Sequence, residues 1–152
     1  DADYVFVDIT RRPTVRLSFH AGPGASGAVA PAPDASVALR DYRFAMPSSL
    51  KAGKQTLSVT NDGDVLHHAL VFPLAKGVNG AKLMKKIKAG KEPRKEFAGP
   101  PSALVEIVSP ETRNDVEVDL RRGRYLFVCF LQDRPKAKMH AQLGMQTVVT
   151  VK

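Results

Sequence analysis

The sequence predicts an all-β fold, an antiparallel β-sandwich with one short helical insertion around residues 81–90. Three observations carry this. Short runs rich in β-formers recur from Val37 onward with turn signals between them. DVEVDL, residues 115–120, alternates apolar and charged residues and must show one face to water. Only AKLMKKIKAG, residues 81–90, carries apolar residues at helical spacing (Leu83, Met84, Ile87), and it stops at Gly90.

Taken in order, YVFVDITRRPTVRLSF (4–19) reads as one or two strands interrupted at Arg11, Arg12 and Pro13. AGPGASGAVAPAPDAS (21–36) is dominated by Ala, Gly and Pro and reads as a linker or extended arm. The expected organisation is therefore extra N-terminal strands or an arm over 1–20, a linker over 21–36 and the main domain over 37–152. Within that domain VALRDYRF opens the β-structure, and SLKAGKQTLSVTN turns at Ala52-Gly53 into a strand. NDGD (61–64) is a turn, LHHALVF (66–72) a strand, and a Pro- and Gly-bearing loop runs through Pro101. RRG (121–123) turns DVEVDL into RYLFVCF, and MQTVVTVK closes the chain as a strand.

Composition bounds the function. The 152 residues suit one domain with a real core, and 43% hydrophobic with 25% charged residues is ordinary for a globular protein. No run approaches the roughly 18 apolar residues of a membrane span. No charged-then-apolar leader opens the sequence, so either there is none or the first residues follow a removed leader or lipid anchor. A single Cys excludes an internal disulfide. The net charge of +8 favours an acidic partner, an anionic membrane surface or nucleic acid. Much of it lies in KLMKKIKAGKEPRK (82–95), which reads first as a solvated helix face and basic loop. Nucleic acid is the weaker reading, since no stacking aromatics are interleaved with these charges.

CFLQDRPKAKMHAQLGM, residues 129–145, holds the lone thiol. By itself a lone Cys is a small buried hydrophobe. Alternation in RYLFVCF, however, puts Tyr125, Phe127 and Cys129 on one face, with the thiol at the strand's exit. His140 lies in the following loop, Met145 stands just before the last strand, and His67 or His68 sits near the start of another. A sandwich gathers its loops at its two ends, so these residues can meet. Two imidazoles, a thiolate and a thioether suit copper, and two His with one Cys and a weak axial Met is the composition of a blue-copper electron-transfer site. His20 reads as solvated at the linker edge. Met139 reads as a packing or surface residue, and Met46 and Met84 as core or helix residues.

GRYLFVCF, HAQLGM, NDGDVLHHALVF and DYRFAMPSSLKAGKQTLSVTN, in this order of ligand strand, ligand loop, first-histidine strand and opening strands, resemble the cupredoxins, the single-domain blue copper proteins, over residues 37–152. The resemblance implies a Greek-key sandwich and one type 1 copper ion held by His67, Cys129, His140 and Met145, with His67 preferred to His68 because Asn61 and Gly63 both count to it. His68 then faces the other side. It also implies that His140 is the partly exposed ligand through which the electron leaves. The implied function is one-electron transfer between a redox donor and acceptor, not enzymatic catalysis. The implied setting is a monomer outside the cytoplasm, in a periplasm or at a cell surface, able to associate with a membrane. The basic stretch at 82–95 would steer an acidic partner. The ten residues between Cys129 and His140 exceed the loop of the short-looped members, an insertion that a rigid scaffold's end tolerates. Asn61 and Asp64 are candidates to support the ligating histidines. Copper storage or delivery on the same fold is the alternative, as is a sandwich with a vestigial site. A thiol enzyme with Cys129 as nucleophile and His140 as base lacks an orienting group and leaves Met145 without a role.

Overall fold

Alternation and turn chemistry divide the chain much as the sequence implies. The computed structural model describes residues 2–8, 15–21 and 32–152. The interruption at Arg11–Pro13 and most of the 21–36 stretch lie outside the described residues. The chain forms two compact units, residues 1–32 and 33–152. The first contains β1 (Ala2–Asp8) and β2 (Val15–Ala21), paired antiparallel with Tyr4 opposite Phe19.

The second unit contains β3 (Ala35–Arg40), β4 (Arg43–Ala45), β5 (Ser49–Leu50), β6 (Gly53–Asn61) and β7 (His67–Pro73). Helix α1 (Gly80–Lys88) follows, then β8 (Ala103–Val108), β9 (Arg113–Leu120), β10 (Gly123–Val128), a short helix α2 (His140–Leu143) and β11 (Gln146–Val151). One sheet has the order β5-β11-β10-β7-β8 and the other β4-β3-β6-β9. Most neighbours are antiparallel, but β3–β6 and β11–β5 are parallel. The chain leaves β3 through the β4 hairpin, adds β5 to the opposite sheet, and returns as β6 in the direction of β3.

Inward residues of both sheets form one core, with Leu39 and Leu57 from one sheet and Val71, Phe127 and Val149 from the other. The strict alternation of β9 leaves Asp115, Glu117 and Asp119 exposed. β10 differs, because both of its faces are buried. Tyr125, Phe127 and Cys129 face the sandwich core, while Leu126 and Val128 meet Leu83 and Ile87 of α1 and Ala141 of α2. Helix α1 begins at Asn79, whose side chain accepts from Lys82 N at 3.0 Å, and ends with Lys85, Lys86 and Lys88, favourable at a helix C-terminus. Two elements were not evident in the sequence. β8 exposes Leu104 and Ile107 and so does not alternate, and α2 is a single turn within the connection from β10 to β11.

Asn61 ties one end of the sandwich together. Its Nδ2 donates to Val65 O and Val108 O, both at 2.8 Å, and its Oδ1 accepts from Gly63 N at 3.0 Å. It thereby shapes the NDGD turn and joins the end of β6 to the end of β8. Asn61→Ala removes all three bonds and strands a buried carbonyl, so it should cost about 2–3 kcal/mol. Urea unfolding should show a lower midpoint at unchanged slope; an unchanged midpoint would remove Asn61 from this role.

Candidate metal centre

The strand geometry delivers each donor separately. β10 ends by pointing the Cys129 side chain into the core, where it is wholly buried. β7 carries a register shift between His67 and Ala69, a bulge that re-aims its first residues. His67 turns inward and is fully buried, whereas His68 turns away and accepts from Phe130 N through Nε2 at 2.8 Å. The adjacent histidines therefore do different work, and His68 stays out of the donor cluster. α2 begins at His140, whose backbone N–H donates to Leu131 O at 2.8 Å, folding the long loop back on itself.

The donor atoms of His67, Cys129 and His140 all lie within 4.8 Å of one another. His67 Nδ1 faces His140 Nδ1 at 3.1 Å, and Cys129 Sγ lies 3.5 Å from His140 Nδ1. Met145 is buried in the same core cluster as Cys129. Its backbone N–H donates to His140 O at 2.9 Å and its carbonyl accepts from Cys129 N at 3.1 Å. Gly144, at φ +130°, permits the tight turn between them, a conformation that side chains resist. Met139 is half-buried, with its N–H on Gln142 Oε1 at 3.0 Å. His20 is exposed beside Asp3, as a solvated histidine should be.

Two carboxylates hold the outer ring nitrogens. His67 Nε2 meets Asp41 Oδ1 at 2.9 Å, and His140 Nε2 meets Asp133 Oδ1 at 2.8 Å. Each ring must carry its proton on Nε2 to donate there, which leaves a lone pair on Nδ1 of each neutral ring. Two lone pairs then converge beside the Cys129 thiol, whose one proton can satisfy only one of them. A cation satisfies such a centre, and the mixture of imidazole nitrogen with thiolate and thioether sulfur fits copper. The residues present therefore fit the group that the resemblance implies.

The expectation that His140 is partly exposed is overturned: it is 1% exposed. The long loop covers it. Asp133, on that loop, also accepts a hydrogen bond from the Tyr42 hydroxyl at 2.8 Å, and the Tyr42 ring packs edge-on against His140 at 4.9 Å and against His67 at 6.3 Å. Asn61 and Asp64 touch neither ring through their side chains; Asp64 N instead donates to Asp41 Oδ2 at 3.1 Å. Gly63 is required here, because a Cβ at that position would collide with the Asp41 carboxylate.

The electrostatics follow from these contacts. Burial pushes the His67 pKa below its ordinary value, outweighing Asp41, and keeps the ring neutral as a ligand must be. Burial also lowers His68, which needs its lone pair for Phe130 N. Burial raises the Cys129 thiol pKa, opposed by hydrogen bonds from the His68 and Leu131 backbone N–H groups. A thiol so enclosed and so protonated is a poor nucleophile for an outside substrate. Tyr42 and then His140 lower Asp133. Burial works against Asp41, but the Asp64 N–H and His67 outweigh it and hold its pKa below the usual range.

The pH dependence of the metal-free protein follows in sign. The unfolded chain protonates histidine near pH ~6.5, while folded His67 and His68 resist, so their contribution is intact above that value and is lost as pH falls below it. Urea midpoints should decline from about pH 7 toward pH 5, and His67→Gln/His68→Gln should flatten that limb. A wild-type profile that is level across this window would contradict the burial argument.

No protein-family model matches the chain, and no curated protein does. Among solved structures, the chain is similar to a dithionite-reduced auracyanin from Roseiflexus castenholzii at 18% identity, covering 77% of this chain and 94% of that one, with a TM-score of 0.49. It is similar to auracyanin B at 22% identity, covering 85% and 96%, with a TM-score of 0.49. It is also similar to a purple cupredoxin from Nitrosopumilus maritimus at 16% identity, covering 78% and 100%, with a TM-score of 0.44. The chain's own two-sheet sandwich, with His67, Cys129 and His140 clustered at one end and Met145 beside them, fits a cupredoxin, and it is the cupredoxins that this chain resembles.

Proposed function

We propose that the protein is a type 1 copper protein that passes single electrons between redox partners, with His67, Cys129, His140 and Met145 as the ligands. The observation that carries this reading is the buried cluster of two imidazoles and a sulfur, whose Nδ1 atoms face inward while the outer ring nitrogens are already committed to Asp41 and Asp133. Bound copper supplies a one-electron change between its two oxidation states. The chain's own part is to hold the donors so that neither state demands rearrangement. Asp41 and Asp133 fix ring orientation and tautomer, the N–H groups of His68 and Leu131 hold the sulfur, and the Tyr42 ring and the long loop exclude water.

Burial also separates this reading from storage or delivery. Delivery calls for donors that a recipient can reach, yet all three clustered donors are buried beneath a loop latched by Tyr42 and Asp133. The cations of residues 82–95 would speed encounter with an acidic redox partner, less so as salt rises. Work outside the cytoplasm, as a monomer able to meet a membrane surface, completes the proposal; none of the described helices is long and apolar enough to cross a membrane.

Cu(II) added to the metal-free protein should produce intense visible absorption from thiolate-to-copper charge transfer, and Cys129→Ser should abolish it. A colourless loaded protein would end this reading, and a band without a reversible electrode couple would favour delivery. Asp133→Asn should weaken copper binding by about 10–100-fold in competition with a chelator. Unchanged affinity would show that the carboxylate does not orient His140.

A further inference from the structure

The closed His140 edge leaves open where an electron-transfer partner sits. Two hollows flank the ligand loop, and they differ in charge. One, over the His140 side, is lined by Asp64 and Asp133 with Leu66 and Leu131. Asp41 adds a further carboxylate to that side through its bond to His67. An acidic partner is repelled there. The other hollow, of about 330 Å³, lies between the end of α1 and the stretch Met139–Gln142. Ile87, Phe97, Phe130 and Met139 make its lining apolar, and Lys91 and Arg94 stand on its rim with one carboxylate, Glu92.

The rim cations are available to different degrees. Arg94 is paired with Glu92 at 2.6 Å, and Lys86, behind the rim, with Glu96 at 2.8 Å. Lys91 on the rim is exposed and makes no ion pair among the described residues, and the same holds for Lys88 and Lys138, which adjoin the lining residues Ile87 and Met139 in the chain without lining the hollow. The floor of this hollow is joined to the donors through the chain itself. Phe130 follows Cys129 in the chain, and Ala141 follows His140 and donates its N–H to Cys129 O at 2.8 Å.

We propose that this apolar hollow with its cationic rim is the docking seat for an acidic redox protein, which would place an apolar side chain in the hollow and carboxylates on Lys88 and Lys91. The seat rests on the electron-transfer reading above and gives it a place: with copper held by the four ligands, one electron would pass from the reduced protein to the oxidised partner across Phe130 and Ala141, with no bond made or broken and no proton moved. The face over His140, closed by Asp133 and Tyr42, is not the exit.

Two readouts test the seat, and the first does not depend on copper. Hexacyanochromate(III), a redox-inert paramagnetic trianion, titrated into the metal-free protein should selectively broaden the amide resonances of residues 88–94 and 138–142. Lys88→Glu/Lys91→Glu should remove that broadening, and Lys51→Glu/Lys54→Glu, the same charge change at the other end of β6, should not. Broadening centred on Asp64, Leu66 and Gln132, or lost equally in both variants, overturns the seat. Second, oxidation of the copper(I) protein by ferricyanide should slow about fivefold or more in Lys88→Glu/Lys91→Glu and less than about twofold in the control. Equal slowing shows a net-charge effect and overturns the proposal. A loaded protein with no reversible couple would sink the electron-transfer reading while the anion map still decides the seat.

Discussion

Two buried imidazoles that face each other through Nδ1, 3.1 Å apart, set the character of this molecule. Such a contact is unfavourable unless something positive lies between them, and the pairing of both outer nitrogens with carboxylates removes the easy escape of turning a ring around. Asp41 and Asp133 thus do more than orient two rings. They turn the Nδ1 atoms of His67 and His140 inward, beside the sulfur of Cys129. The structure holds this arrangement with ordinary means: the Asn61 bonds that shape the turn, the absence of a side chain at Gly63 where Asp41 approaches, and the Tyr42 hydroxyl on Asp133.

The sandwich makes that arrangement affordable by drawing each part from a different stretch of chain. β10 is clamped on both faces, by the sheet-to-sheet core and by α1, so Cys129 leaves a rigid strand. The bulge in β7 separates the work of His67 from that of His68, with His68 fixing the backbone just beyond the cysteine. Met145 is bonded through its backbone to both Cys129 and His140, so its position is registered to theirs before any ion is considered. The long loop then has freedom to do something else. It covers His140 and brings an acid over it, which shifts the accessible apolar surface toward Phe130 and the basic end of α1.

The clustering of these four side chains was legible because residue identity marks them: one thiol at a strand exit, a histidine and a methionine downstream, and a histidine after an NDGD turn. The strands were legible where burial is one-sided, as in β9, or where turn residues bound a run. β8 escaped because its exposed Leu104 and Ile107 break the alternation that marks a half-buried strand. α2 escaped because four residues have no periodicity to detect. The supporting acids were not legible at all. Tyr42 and Asp133 lie 91 positions apart, and nothing local distinguishes Asp133 from any other loop aspartate. That same long-range contact is why His140 is covered and not partly open. Asn61 and Asp64 stand near the first histidine in sequence yet act on the turn and on Asp41, since proximity along a chain says little about which side chain reaches a ring.

The most direct measurement is the X-ray absorption fine structure of the copper-loaded protein at the copper edge, since it counts nearest neighbours by element. The account predicts one short sulfur shell together with two imidazole nitrogens, the sulfur shell vanishing when Cys129 is replaced by Ser. A first shell of light atoms alone, with no sulfur at any distance short enough to be a bond, would contradict it.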